Sequence, residues 1–194
     1  TPDQKDTSLE SMQSILEAQK KAYLSEGEVS YATRYDRLER AINVVRKNEK
    51  RFVEAMTADF GHRSEHQSLF TDIASSVTPL RHAQKHMKQW MRREKRKLTP
   101  ALLGLFGAKA WIDYQPLGVV GVISPWNFPV NLTFAPLSGI LSAGNRCMIK
   151  PSEYTPVTSA AMAEAIAAEF DAAEIAVVTG LSLIHISEPT RRKR

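Results

Sequence analysis

The chain has 194 residues, 43% of them hydrophobic and 24% charged, which suits one globular domain with its own core and leaves no compositional case for disorder. Its 26 basic and 21 acidic residues leave a net charge of +5, but the excess sits in the short runs Arg92 to Lys97 and Arg191 to Arg194, which read as solvated helix ends and tails rather than a nucleic-acid surface. The single cysteine excludes an internal disulfide framework and suits a reducing, cytoplasmic setting. No apolar run approaches the roughly 20 residues of a membrane span, and the polar start is no signal peptide.

The first hundred residues carry a helical period. Thr7 and Glu10 form a candidate capping box, after which Leu9, Met12, Leu16 and Tyr23 keep to one side until "EGEVS" closes the helix. A second helix is predicted to start near Thr33 with Asp36 as its box partner. Tyr35, Leu38, Ile42, Val45, Phe52, Met56 and Phe60 carry it as one element to a stop at Gly61. A third pattern runs through Leu69, Ile73, Val77, Leu80, Met87 and Met91, with Pro79 inside it, where a proline should kink or divide the helix. The basic residues that follow would complement its dipole.

From Lys109 the period changes. Ala110, Ile112 and Tyr114 alternate with Trp111, Asp113 and Gln115, and Pro116-Leu117-Gly118 turns the chain into "GVVGVI", a continuous apolar run that suits a parallel strand buried on both faces. "VNLTFAPLSGILSAGN" reads as a buried helix closed by Gly144-Asn145, followed by the strand "RCMIK". Thr155-Pro156 is an N-cap and N1 pair opening an alanine-rich helix, and "EIAVVTG" is a further strand. Strand, helix, strand, helix, strand over residues 118–180 predicts an α/β fold: N-terminal helices, then right-handed parallel crossovers forming the first part of a doubly wound, Rossmann-like sheet.

Ligands on such sheets bind beyond the carboxyl ends of the strands, and two unusual segments lie there, "SPWNFP" and "KPSE". No G-x-G-x-x-G fingerprint accompanies them, so ordinary pyrophosphate binding is not indicated. Lys150 and Glu153 bracket a turn and could hold a ribose diol by donating and accepting hydrogen bonds; a surface ion pair is the plainer account. Asn127 could donate to a developing oxyanion without titrating, or could simply form the turn. His62 with His66, and His82 with His86, have the i, i+4 spacing of a metal clip, but no H-E-x-x-H pattern accompanies them and solvated helix-surface histidines account for both. No metal site is expected.

The residues Pro116 to Ser159, with "SPWNFP" and "GNRCMIKPSE" at this separation, resemble the aldehyde dehydrogenase superfamily, and the likeness extends from about Ser8 to Gly180. The helical start, with "LSEG", "RYDRLERA" and "ADFGHRS", looks most like the bacterial coniferyl aldehyde dehydrogenase branch of the class 3-like enzymes. The resemblance implies that Asn127 holds the substrate oxygen as it becomes an oxyanion, that Ile123, Ser124, Pro125 and Trp126 line the cofactor cleft, and that Lys150, Ser152 and Glu153 meet the adenosine ribose. It also implies a cysteine thiolate adding to an aldehyde, hydride transfer to NAD or NADP with NAD favoured by Glu153, and hydrolysis by glutamate-activated water. A homodimeric parent is implied too.

On that frame, residues 1–108 are the helical part of the cofactor domain, 109–116 a strand of the oligomerisation region, and 117–180 the first βαβαβ part of the NAD(P)-binding domain. The family's nucleophilic cysteine and general-base glutamate have no counterpart here, because both lie later in the family's chain. Cys147 sits within "RCMIK", packed beside Ile149 as a small hydrophobe. Residues 181–194, "LSLIHISEPTRRKR", look like translated adapter read-through and are set apart as a non-native tail. The expected whole is the N-terminal fragment of an NAD(P)-dependent aldehyde dehydrogenase; a non-catalytic nucleotide-binding or basic interaction module is the alternative.

Overall fold

The structure, a computed structural model, describes residues 7–180. Helix α1 (Leu9–Glu26) is capped by Ser8, whose hydroxyl accepts from Ser11 N at 3.1 Å. The expected cap, Thr7, is engaged elsewhere: its N–H donates to Thr179 O and its hydroxyl accepts from Thr179 N. The inner side of α1 also differs from expectation, since Leu9 is exposed and the fully buried residue is Gln19. Its amide donates to Cys147 O at 2.8 Å and Ala172 O at 2.9 Å, fastening the helix to the sheet.

The long helix expected from Thr33 to Phe60 is two. Helix α2 (Tyr31–Lys47) starts earlier, on Ser30, whose hydroxyl accepts from Thr33 N, and ends at Asn48. The Asn48 amide bonds back to Val44 O, serving a carbonyl at the helix end and letting the chain bend before α3 (Glu49–Phe60). The apolar period survives the bend, because Leu38, Ile42, Val45, Phe52 and Met56 are all buried. Gly61, at φ 77°, takes the left-handed conformation that closes α3 and returns its N–H to Thr57 O.

The third pattern becomes α4 (Glu65–Ser68), a π-helical stretch (Leu69–Ala74) and α5 (Ser75–Trp90). Pro79 lies inside α5 without dividing it. The change of hydrogen-bond register falls upstream, in the π stretch, where the Ser75 and Ser76 hydroxyls donate to Thr71 O and Asp72 O. The basic run after α5 is a short strand, not a helix end: β1 (Glu94–Arg96) pairs antiparallel with β2 (Ala110–Ile112). Its charged residues carry no apolar period, so only the partner strand defines it. A 3-10 helix (Ala101–Phe106) joins the two.

Strands β3 (Val119–Ile123), β4 (Arg146–Lys150) and β5 (Ile175–Val177) form a parallel sheet in the order β3-β4-β5. Burial on both faces of β3 is not observed: Val122 is buried, whereas Gly121 and Ile123 are exposed and no described element covers them. The apolar run after β3 also forms two helices, α6 (Asn131–Phe134) and α7 (Leu137–Ser142), separated at Pro136, which has no N–H to continue the ladder. Helix α1 lies against β3 and β4, α7 packs with α2 and α5, and α8 (Pro156–Ala167) sits on β5 and against α3. One apolar cluster, running from Leu38 on α2 to Ile175 on β5, joins these elements apart from α1.

The start of α8 is capped from a distance. Thr155 occupies the expected N-cap position, but its hydroxyl is buried without a partner. The Asp59 carboxylate, on α3, instead accepts from Val157 N at 3.0 Å, Thr158 N at 2.8 Å and the Thr158 hydroxyl at 2.6 Å. Asp59→Ala should therefore cost about 1–2 kcal/mol of stability, read as a lower denaturation midpoint. Thr155→Ala should cost far less.

A second polar cluster ties α1 and α2 to the amino ends of β4 and β5. Glu174 accepts from Arg37 and Arg40, and Glu26 accepts from Arg37 and Arg146. Burial alone would raise the Glu174 carboxyl; hydrogen bonds from Arg40 and Arg37 outweigh it and hold it below its ordinary value. A carboxyl depressed in the folded state contributes stability above its unfolded pKa and loses it as pH falls through the folded value. Glu174→Gln should thus lower stability by about 2 kcal/mol at neutral pH, and the gap in thermal midpoint from wild type should narrow as pH falls below about 4.

Candidate active site

Parallel register sets the site. Ile123 lies opposite Lys150 at the carboxyl ends of β3 and β4, and Ser124 N donates to Lys150 O at 3.0 Å, so the two loops leave the sheet side by side. Ser124 is buried, with its hydroxyl 2.8 Å from Thr133 Oγ1, which in turn lies 2.7 Å from Pro129 O. It anchors the turn from within. Ile123, Pro125, Trp126 and Asn127 are exposed on the outer side.

The turn is held through its backbone. Arg63, just beyond the Gly61 stop, donates through Nη1 to Asn127 O at 2.8 Å and through Nη2 to Asp72 Oδ2 at 2.6 Å. Asp72, in the π stretch, accepts through Oδ1 from Val130 N at 3.1 Å and Asn131 N at 3.2 Å. Both side chains are buried, at 7% and 0% exposure, and the guanidinium lies 4.8 Å from the Phe60 ring centroid and 5.4 Å from that of Phe128. Burial raises the Asp72 carboxyl above its ordinary value, opposed by the Asn131 N–H, the charge of Arg63 and the Val130 N–H. Among the described residues the Asn127 side-chain amide makes no hydrogen bond, so the turn does not depend on it.

On the neighbouring loop, Lys150 Nζ and Glu153 Oε2 are 2.7 Å apart with side chains 17% and 21% exposed, a pair more enclosed than a surface ion pair. Ser152 is buried; its hydroxyl accepts from Tyr154 N and its carbonyl from the Ser159 hydroxyl. Asp59 fixes the start of α8 just after this loop. A groove of about 550 Å³ opens beside the asparagine turn, lined by Phe70, Thr71, Ala74, Thr78, Phe128 and Asn131 among others.

Cys147 lies away from both loops, near the start of β4. It is fully buried, and burial pushes its thiol up to about 12. Such a thiol is not a nucleophile at neutral pH. The His82 and His86 rings lie tilted with centroids 4.3 Å apart and His86 stacks on Trp90, while His62 follows the Gly61 stop and is not on a helix with His66. No group of three or more metal-ligating side chains occurs among the described residues.

Arg63, Asp72 and Asp59 were not singled out from the sequence. "ADFGHRS" carried only a resemblance, and nothing local signals that Asp72 meets the backbone 58 residues away.

Comparison with known proteins shows the family and the fold. The chain matches the Aldehyde dehydrogenase family over residues 3–184. It is 51% identical over 169 residues to a probable coniferyl aldehyde dehydrogenase of Caulobacter vibrioides, covering 87% of this chain and 35% of that protein. It is 48% identical over 172 residues to a coniferyl aldehyde dehydrogenase of a Pseudomonas species, covering 88% and 34%. The substrate-bound Staphylococcus aureus AldH superposes with a TM-score of 0.81 at 27% identity, over 88% of this chain and 36% of that one. The chain thus spans about a third of the length of its curated relatives, and within that span it belongs to the aldehyde dehydrogenase family.

Proposed function

We propose that this chain supplies the oxyanion-binding turn and the adenosine-ribose loop of an NAD(P)-dependent aldehyde dehydrogenase acting on an aromatic aldehyde of the coniferyl class. The observation that carries this reading is the exposed Asn127 amide, which makes no hydrogen bond among the described residues, on a turn that Arg63 and Asp72 hold by its backbone. An uncommitted amide on a fixed turn can donate to an aldehyde oxygen as a thiolate adds to the carbon and charge collects on the oxygen. A turn already fixed has no reorganisation to undergo at that moment.

Lys150 and Glu153 suit the ribose of NAD or NADP. The ammonium has three donors and gives one to Glu153, leaving donors for one hydroxyl of the diol while the carboxylate accepts from the other. An accepting carboxylate at a 2'-hydroxyl favours NAD over a 2'-phosphate. Ser152 contributes by shaping the loop, and Ile123, Pro125 and Trp126 offer an exposed apolar wall for the cofactor, with Ser124 anchoring it. The bound cofactor supplies the hydride acceptor; the chain's own residues bind, orient and exclude water. In the groove, Phe70 and Phe128 suit an aromatic ring and the Thr71 and Thr78 hydroxyls suit its polar substituents, in keeping with the coniferyl relatives. The exposed β1–β2 ribbon, with Trp111 and Ile112 and with Tyr114 just beyond it, supports a homodimeric parent, and the single cysteine supports a cytoplasmic setting.

The proposal is tested in the full-length enzyme. Asn127→Ala should lower kcat about a hundredfold, near 3 kcal/mol of transition-state stabilisation, with little change in cofactor affinity. Lys150→Ala should do the reverse, weakening NAD(P)+ binding while leaving much of kcat at saturation. Near-wild-type turnover in Asn127→Ala, with product release shown not to limit, would sink the oxyanion role.

The 194-residue chain alone should form no NAD(P)H from coniferyl aldehyde, and Cys147→Ala should change nothing. Turnover abolished by that substitution would make Cys147 a nucleophile after all.

A further inference from the structure

Two buried charged groups on the segment after α3 converge on the backbone of the asparagine turn. Arg63 reaches Asn127 O at 2.8 Å, and Asp72 reaches Val130 N and Asn131 N at 3.1 and 3.2 Å. The Arg63–Asp72 contact at 2.6 Å joins them. The three backbone contacts fall on both sides of Phe128-Pro129, so they bracket the peptide units that set where Asn127 points. A buried ion pair is weak evidence for stability, because well-packed apolar residues often serve as well. What this pair supplies that an apolar pair could not is directed hydrogen bonds to chosen backbone atoms.

We propose that Arg63 and Asp72 are positioning residues for the Asn127 amide, acting on the reaction through the backbone of the turn without touching substrate. The inference rests on the oxyanion role of Asn127 given above. The planar fork of Arg63 spans Asn127 O and the Asp72 carboxylate at once, with its Cζ over the Phe60 and Phe128 rings. A lysine ammonium keeps the charge but not the two-directional fork. A displacement of about 1 Å in a catalytic group lowers rates by up to about a hundredfold, so loss of the fork should show in turnover before it shows in folding.

The test is a double-variant cycle in the full-length enzyme, with coniferyl aldehyde and NAD+ as the probes. Arg63→Lys should lower kcat about tenfold or more, with the NAD+ dissociation constant within about twofold of wild type and the thermal midpoint within about 3 °C. In an Asn127→Ala background the same substitution should cost less than about twofold, because the amide it positions is gone. Asp72→Asn carries the same cycle if Arg63→Lys does not fold: the amide oxygen keeps an acceptor for Val130 N and Asn131 N but loses the charge that orients Arg63. Equal losses in both backgrounds, or undiminished kcat in the single variants, overturn the positioning role while Asn127→Ala remains slow. Full turnover in Asn127→Ala overturns the oxyanion reading and this inference with it.

Discussion

A carboxylate with no exposed surface cannot be left without partners, and Asp72 meets that constraint with two backbone N–H groups of one loop and the guanidinium of Arg63. Each partner is thereby fixed as well. Arg63 is held where its other nitrogen meets Asn127 O, and the backbone N–H groups at the entry to α6, otherwise unpaired at a helix start, are satisfied from outside the helix. The π-helical stretch that carries Asp72 follows the same logic, since an altered helical register there sets which side of the element faces the turn.

A single stretch, from Asp59 to Asp72, governs both loops at the carboxyl end of the sheet. Asp59 holds the start of α8, immediately after the Lys150 to Glu153 loop, while Arg63 and Asp72 hold the asparagine turn. The sheet brings the loops together through parallel register, Ile123 against Lys150, and the helical segment then fixes each one. Under the proposed function, chemistry and cofactor binding share one rigid support, which suits a reaction in which a substrate oxygen and a hydride acceptor must be held together.

The thiol and the apolar surface fit a chain that spans a third of its relatives' length. Cys147 is packed into β4 with its thiol kept protonated by burial, so it serves as a small hydrophobe of the sheet rather than as a nucleophile. Ile123 and Leu117, at 67% and 88% exposure, and Leu105 and Phe106 on the 3-10 helix, at 82% and 81%, present apolar area that no described element covers.

Much of the fold was legible from local pattern. The strands "GVVGVI" and "RCMIK" and the helix opening at Pro156 lie where their periods put them, because apolar spacing and proline act within a few residues. "SPWNFP" and "GNRCMIKPSE" carried the family. Boundaries failed where distant partners decided them: Thr7 is taken by Thr179, β1 exists only through β2, and the cap of α8 is Asp59 rather than Thr155. The sequence by itself determined the family and placed an asparagine, a lysine and a glutamate on the two loops that follow parallel strands. Only the tertiary structure decided that Arg63 and Asp72 hold the turn presenting Asn127, because a hydrogen bond between residues 58 or more positions apart leaves no period or spacing to read.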